Sequence, residues 1–216
     1  MYKACIFDLD GTLANTLASI ALFANHALRD CGYPEIPVQT YRRLVGNGRV
    51  KLLHNMLDTV APGAYTEDDI ARVGVLYDRY YAADPSANVQ DYPGIPSLLQ
   101  DLHAAGLKIG VLSNKPDDMT QAVLRRFPKG TFDAAHGQRA GVPRKPAPDG
   151  ALLLAKELGA ASAACLYIGD TNTDMQTGAA AGMDTVGVLW GFRDREELQA
   201  AHACALAEKP ADILSF

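Results

Sequence analysis

The chain has 216 residues, of which 48% are hydrophobic and 21% are charged, as in an ordinary globular protein with ample material for a core. Its net charge of −5, without any basic cluster, argues against a nucleic-acid-binding surface. No apolar run approaches the ~18 residues of a membrane span, and the scattered cysteines and the absence of a leader predict a cytoplasmic protein that binds neither membrane nor nucleic acid.

The first predicted element is a strand that ends in two carboxylates. The stretch CIFDLDGTL, residues 5–13, is apolar up to Asp8 and Asp10. Side chains of a strand repeat every two residues, so these two carboxylates should point to the same side. Left unpaired, two like charges repel each other and lose hydration. The pattern therefore predicts a positive group between them.

Residues 15–84 form a predicted all-helical insert. An amphipathic helix at Leu17–Cys31 is stopped by Gly32, and further helical stretches follow after a turn that contains prolines. Pro85, Pro93 and Gly94 mark the return to the first unit. We predict two domains, a core of residues 1–14 and 85–216 and an insert of residues 15–84. The two connecting segments could act as a hinge.

From about residue 92, apolar strands alternate with helices. This rhythm is typical of βαβ units and a parallel sheet. The strands are apolar throughout, as expected when both faces of a sheet are covered. The predicted fold class is α/β, a Rossmann-like doubly wound parallel sheet with an inserted all-helical domain. Predicted strands lie at 107–112, 132–135, 164–168 and 185–189, and predicted helices at 95–105, 117–127, 149–158 and 173–181.

Polar residues gather where the predicted strands end. In an open α/β sheet, ligands bind beyond the carboxyl ends of the strands. Oxygen ligands suit Mg²⁺, whereas a hydroxyl, an amide and a lysine suit a phosphoryl group. With metal and lysine present, one carboxylate can be a nucleophile and another can move a proton. The candidate residues are Asp8, Asp10, Ser113, Asn114, Lys145, Asp170 and Asp174.

Four short motifs carry a family resemblance over essentially the whole chain. DLDGTL, LSN, KPAP and GDTNTD, in this order and with a helical insert after the first, resemble the motifs of the haloacid dehalogenase superfamily in its phosphatase branch. The insert resembles the small helical cap of that family. Its segment VGNGR, together with LWGF and KPADIL, resembles phosphoglycolate phosphatases. The resemblance implies a Mg²⁺-dependent hydrolase of a small phosphorylated metabolite, with 2-phosphoglycolate as the first candidate.

The resemblance also implies roles for the residues that contact the phosphoryl group. Asp8 would attack phosphorus and form an aspartyl-phosphate. Asp10 would protonate the leaving oxygen and then deprotonate the hydrolytic water. Ser113 and Asn114 would hold phosphoryl oxygens, and Lys145 would neutralise charge on the nucleophile and the phosphate.

The same resemblance also implies which residues bind the metal and which residues of the cap contact the substrate. Asp170 would bind Mg²⁺ together with Asp8 and the backbone carbonyl of Asp10, and Asp174 would support the metal or the lysine. In the cap, Gly48 and Arg49 are the candidates for contact with the part of the substrate away from phosphorus. The protein is expected to act as a monomer or a small homo-oligomer.

Other functions fit the residues less well. A sugar phosphomutase of the same superfamily, similar to β-phosphoglucomutase, is the alternative enzyme, but such enzymes typically carry a histidine shortly after the first motif and here the first is His26. The dehalogenase branch lacks the aspartate that Asp10 supplies. A calcium loop from Asp170 is excluded because Met175 replaces the required glycine. A non-catalytic scaffold is disfavoured because every expected polar position is filled.

Overall fold

The computed structural model describes all residues, 1–216. A parallel six-stranded sheet has the order β5-β4-β1-β6-β7-β8, and β2 and β3 form a separate antiparallel pair. The sheet confirms the predicted α/β class with a Rossmann-like core. The strands are β1 (Ala4–Phe7), β2 (Ala14–Asn15), β3 (Gln90–Asp91), β4 (Lys108–Pro116), β5 (Ala134–Gln138), β6 (Cys165–Gly169), β7 (Asp184–Val188) and β8 (Ala205–Ala207).

Nine α-helices surround the sheet or form the insert. Those of the insert are α1 (Leu17–Asp30), α2 (Tyr41–Leu44), α3 (Gly48–Val60) and α4 (Glu67–Ala83). The others are α5 (Ile95–Ala104), α6 (Asp117–Leu124), α7 (Asp149–Glu157), α8 (Asn172–Ala180) and α9 (Arg195–Ala200). None of them is long and apolar enough to cross a membrane.

The sheet is covered on both faces, as its apolar strands predict. Side chains of successive strand residues point to opposite faces. In β1, Phe7 accordingly belongs to one buried cluster and Ile6 to another. Both are fully buried, so the residues that follow β1 start from a fixed position at the edge of the sheet.

Strand β4 is longer than the sequence predicts. The apolar run ends at Leu112, but the strand continues to Pro116, which pairs with Gln138 of β5 after a shift in register. Ser113 and Asn114 therefore lie within the strand rather than after it. Tertiary pairing with β5 extends the strand through residues that carry no apolar signal of their own.

The helical insert has a hydrophobic core of its own. Eighteen of the 19 residues in that cluster lie between Leu17 and Tyr81, and the remaining one is Phe192. Where the insert joins the sheet domain, its two connections run side by side, because Ala14 pairs with Asp91 in the β2–β3 ribbon. The division into an inserted domain of residues 15–84 and a core of residues 1–14 and 85–216 stays a prediction.

Candidate active site

Three neighbouring strands bring the predicted residues to one edge of the sheet. Strand β1 lies between β4 and β6. Asp8 follows β1, Ser113 lies near the end of β4, and Asp170 follows β6. Asp8 and Ser113 face a cavity between the sheet edge and the insert, whereas Asp170 is fully buried beside it. Its lining includes Asp8, Asp10, Val45, Gly46, Gly48, Arg49, Leu52, Tyr77, Ser113, Asn114, Lys115, Met119, Lys145 and Thr171.

The ammonium group of Lys145 lies at the centre of the site. It donates to Asp8 Oδ1 and Asp174 Oδ1, each at 2.7 Å, and to the Leu112 carbonyl at 3.2 Å. Burial opposes the charge, but the carboxylates of Asp174 and Asp8 outweigh burial and raise the pKa of Lys145 well above its ordinary value. All three ammonium hydrogens thus have acceptors, and the lysine is held in its charged form.

Three carboxylates outnumber this one ammonium group. Ligand oxygens of Asp8, Asp170 and Asp174 lie within 4.8 Å of one another. Burial and the charge of Asp174 raise the pKa of Asp8, although Lys145 opposes the shift. The same two causes raise the pKa of Asp170 to about 7. A buried all-oxygen donor set with this excess of negative charge fits a hard divalent cation.

Asp174 has little capacity left for such a cation. Its Oδ2 accepts from the backbone N–H of Thr171 at 3.1 Å and from the Thr171 hydroxyl at 2.7 Å, which caps helix α8. Its Oδ1 accepts from Lys145. By contrast, Oδ2 of Asp8 accepts no hydrogen bond, and Asp8 lines the cavity. This arrangement fits Asp174 as a support for the lysine and Asp8 as a group open to a ligand.

Asp170 is enclosed by two glycines and two hydrogen bonds. Its Oδ1 accepts from the Thr12 hydroxyl at 3.2 Å, and its Oδ2 accepts from the backbone N–H of Phe192 at 2.7 Å. A Cβ atom on Gly191 would lie 2.2 Å from Cβ of Asp170, and one on Gly11 would lie 2.2 Å from Oδ2. Only glycine fits at either position.

Gly191→Ala should therefore displace Asp170 and destabilise the fold. Overpacking of a buried site typically costs about 1–3 kcal/mol. We expect a lower urea midpoint and weaker binding of divalent metal by isothermal titration. Gly63→Ala is the control, since a Cβ there meets nothing within 4 Å and only its positive φ of 69° adds strain. Equal stability and metal affinity in Gly191→Ala and wild type would contradict the steric account.

Ser113 and Asn114 are placed differently within the site. The Ser113 hydroxyl accepts from the backbone N–H of Lys115 at 3.2 Å and lines the cavity. The Asn114 amide accepts from the Lys145 backbone N–H at 2.9 Å and donates to the Lys145 carbonyl at 3.0 Å and to the Gly46 carbonyl at 3.3 Å. Asn114 thus fixes the lysine loop and links it to the insert.

Asp10 lies outside the carboxylate cluster and pairs with Lys115, a residue to which sequence reasoning gave no role. The Lys115 ammonium donates to Asp10 Oδ1 at 3.0 Å and to Oδ2 at 2.9 Å. No local signal in the sequence marks this contact, which joins residues 105 positions apart.

The insert contributes Gly48 and Arg49 to the cavity wall. The Arg49 guanidinium donates to Asp78 Oδ1 of helix α4 at 2.6 Å. Its side chain is 28% exposed and that of Asp78 is 44% exposed. A Cβ on Gly74 would lie 2.6 Å from this guanidinium, so a glycine in α4 makes room for it. Both cap candidates thus reach the cavity, and Arg49 does so while paired within the insert.

Two arginines that the sequence did not single out join the insert to the sheet domain. Arg42 of α2 donates to the Gly191 carbonyl at 2.6 Å and to the Phe192 carbonyl at 3.1 Å. In the other direction, Arg193 donates to the Val45 carbonyl at 2.8 Å and to the Arg42 carbonyl. The side chain of Phe192 packs in the core of the insert. The loop that holds Asp170 is therefore also a contact with the insert.

Comparison with known proteins identifies the family. Residues 5–188 match the model of the haloacid dehalogenase-like hydrolases. The chain belongs to this family. A phosphoglycolate phosphatase of Rhodospirillum rubrum is 32% identical over 219 residues, which cover 99% of this chain and 90% of that protein. That of Aquifex aeolicus is 30% identical over 191 residues, 88% of this chain and 86% of the relative.

Solved structures of haloacid dehalogenase-like proteins share the whole architecture. A crystal structure described as that of a "predicted phosphoglycolate phosphatase" from Haemophilus somnus 129pt has a TM-score of 0.92 at 28% identity, covering 99% of this chain and 97% of that one. A β-phosphoglucomutase from Clostridium difficile has a TM-score of 0.77 at 24% identity, covering 99% and 93%, a likeness of fold alone. The family resemblance of the four motifs is confirmed.

Proposed function

We propose that this haloacid dehalogenase-like hydrolase is a Mg²⁺-dependent phosphomonoester hydrolase that works through an aspartyl-phosphate on Asp8. The chain is an enzyme of the phosphatase class, as its family and its relatives at 30–32% identity support. The relatives named phosphoglycolate phosphatase make 2-phosphoglycolate the first candidate substrate. The observation that carries the mechanism is the contact of Lys145 with both Asp8 and Asp174 at the floor of the cavity.

The contact with Lys145 orients Asp8 as a nucleophile. One of its oxygens is fixed by the ammonium group, whereas the other accepts no hydrogen bond. The free oxygen can form a bond to phosphorus as the bond from phosphorus to the ester oxygen breaks. A proton from Asp10 allows the alcohol to leave. Attack of water on the aspartyl-phosphate, with Asp10 now accepting a proton, then releases phosphate and regenerates Asp8.

The metal would be held by the carboxylates of Asp8 and Asp170 together with the backbone carbonyl of Asp10. Asp174 would stabilise the site through its contact with Lys145. When bound, Mg²⁺ supplies positive charge that offsets the repulsion among these carboxylates and polarises the phosphoryl group. Ser113 would bind a phosphoryl oxygen from the cavity wall. For Asn114, whose side-chain amide is already engaged, the backbone is the remaining donor.

The helical unit of residues 15–84 is proposed to act as the cap. Its separate core and paired connections support an independent body that can move relative to the sheet. It also supplies a wall of the cavity through Gly48, Arg49 and Tyr77. A cap that excludes water strengthens the electrostatic interactions beneath it. The substrate is accordingly expected to be a small metabolite, and the oligomeric state and cytoplasmic location stay predictions.

A phosphomutase is disfavoured by the cavity lining, which contains no histidine. The first histidine after the DLDGTL motif, His26, lies in α1 with its ring edge against Tyr80 of the insert. A mutase needs to return the phosphoryl group to a sugar rather than to water. The lining of this cavity provides no histidine for that control.

The proposal predicts that turnover depends on divalent metal. EDTA should reduce hydrolysis of p-nitrophenyl phosphate and of 2-phosphoglycolate by at least about 100-fold, since the metal contributes several kcal/mol of charge stabilisation. Added Mg²⁺ should restore it. Phosphate release is measured across a panel of phosphorylated metabolites, with Asp8→Asn protein, purified in parallel, as the control for contaminating phosphatases. Activity that survives EDTA, or no release from any member of the panel, would contradict the proposal.

A further inference from the structure

Two cations besides Lys145 line the cavity, and they differ in how they are held. Lys115 lies on β4, its side chain is 5% exposed, and its ammonium contacts both oxygens of Asp10. It also lies 5.0 Å from the centre of the Tyr81 ring. A buried ammonium group paired with a carboxylate is therefore present at the wall of the cavity.

The position of Lys115 relative to the phosphoryl site follows from the strand. Ser113 and Lys115 are two residues apart on β4, about 6–7 Å along an extended chain, and both line the cavity. Asp8 and Asp10 have the same spacing after β1. The site consequently has an inner layer with Asp8 and Ser113 and an outer layer with Asp10 and Lys115.

Only the outer layer has a cation available for a second anionic group. The three hydrogens of Lys145 are all used by Asp8, Asp174 and the Leu112 carbonyl. Lys115 donates its side-chain hydrogen bonds to Asp10 alone, and the side chain of Asp10 is 18% exposed. A phosphate bound in the inner layer leaves the other end of a short substrate beside Lys115.

Arg49 is the competing candidate, and its geometry is less favourable. Its guanidinium pairs with Asp78 of the insert, and both side chains are more exposed than Lys115 and Asp10. Ion pairs at exposed positions contribute little because water screens them. A buried ammonium group gives a stronger charge-assisted hydrogen bond to an anion.

We propose that Lys115 is the specificity-determining residue of this site and that it binds a carboxylate attached directly to the phosphoester carbon while still in contact with Asp10. This rests on the proposed phosphatase function and names its substrate class, short phosphomonoesters of hydroxy acids. The ester oxygen of such a substrate lies between the phosphate and the carboxylate. One contact with Lys115 would thus also place the leaving oxygen beside Asp10.

The test compares 2-phosphoglycolate with 2-hydroxyethyl phosphate, in which a neutral hydroxymethyl group replaces the carboxylate. The ratio of their kcat/KM values measures recognition of the anionic group. In wild type the ratio should be about 10 to 100, the value of one charge-assisted hydrogen bond. In Lys115→Met it should fall to within about threefold of one, with most of the change in KM for 2-phosphoglycolate.

Two further variants distinguish recognition of the carboxylate by Lys115 from a general effect of removing positive charge. Lys51→Met removes an exposed lysine from α3 of the insert and should keep the wild-type ratio. Arg49→Ala should also keep it. If Arg49→Ala removes the ratio while Lys115→Met retains it, recognition belongs to Arg49 and the proposal is overturned. Equal losses on both substrates in Lys115→Met would also overturn it, because they would confine the lysine to holding Asp10.

The wild type provides a test that needs no variant. A ratio near one in wild type overturns the proposal even if Lys115→Met fails to fold, and Lys115→Gln gives a second, polar replacement checked by circular dichroism. Failure of the proposed function is a distinct result. In that case wild type hydrolyses neither substrate, whereas failure of the Lys115 proposal leaves wild type able to hydrolyse 2-phosphoglycolate.

Discussion

Asp8→Asn is expected to fold like wild type and to lose turnover by on the order of 10⁶-fold, the size of effect produced by removing a covalent nucleophile. An amide is a poor nucleophile at phosphorus. The fold should survive because the amide oxygen can still accept the 2.7 Å hydrogen bond from Lys145. Burial and the nearby Asp174 disfavour the Asp8 carboxylate, as its raised pKa indicates. Removing that charge should leave the melting temperature unchanged or higher.

Loss of activity and loss of fold are measured separately for this variant. Thermal unfolding by circular dichroism gives the stability, and phosphate release from 2-phosphoglycolate gives the turnover. Asp101→Asn is the matched control, because Asp101 is an exposed aspartate on α5 that does not line the cavity. Turnover in Asp8→Asn within tenfold of wild type would rule out Asp8 as the nucleophile. A melting temperature far below that of wild type would instead attribute the loss to unfolding.

The fold and the floor of the site were predictable because both follow from local rules. Apolar runs without alternation predicted strands covered on two faces, and β1, β6 and β7 are found there. The two-residue period predicted that Asp8 and Asp10 share a side, and the rule for strand ends predicted that Asp170 joins Asp8. In the structure, Asp8 and Asp170 do lie in one carboxylate cluster. Lys145 needed the family motif, since a lysine in a loop carries no signal of burial.

The pair of Asp10 with Lys115 was not predicted, because it depends on the length of β4. Sequence reasoning ended that strand at Leu112, where the apolar run stops. Pairing with β5 carries the strand on to Pro116, and Lys115 lines the cavity together with Ser113. The contact joins residues 105 positions apart. No local pattern specifies a contact of that kind.

The contacts between the insert and the sheet could not be predicted from the sequence either. Arg42 and Arg193 each donate to backbone carbonyls of the other segment, and a carbonyl acceptor has no residue-type signature. Phe192 lies at the end of LWGF, where it reads as an ordinary apolar residue, yet it packs in the core of the insert. The lack of space for a side chain at Gly191 is seen only in the structure, where a Cβ atom would collide with Asp170.

Asp10→Asn is expected to reduce turnover most for esters whose leaving group must be protonated and least for esters whose leaving group departs as an anion. A general acid typically contributes about 10²–10⁴-fold, so phosphate esters of simple alcohols should lose activity within that range. p-Nitrophenol leaves readily as an anion and needs little protonation, so p-nitrophenyl phosphate should lose far less. Asn at position 10 can still accept one hydrogen bond from Lys115, which now bonds to both carboxylate oxygens, so the outer layer of the site should keep its structure.

The measurement for Asp10 is the dependence of kcat/KM on leaving group across a series of phosphate esters. In wild type the dependence should be shallow, because the acid compensates for poor leaving groups, and in Asp10→Asn it should be steep. Asp8→Asn is the reference, since loss of the nucleophile should depress every ester alike. The same factor of loss for p-nitrophenyl and alkyl esters in Asp10→Asn would contradict the proton-transfer role and would leave Asp10 as a partner that only holds Lys115 in place.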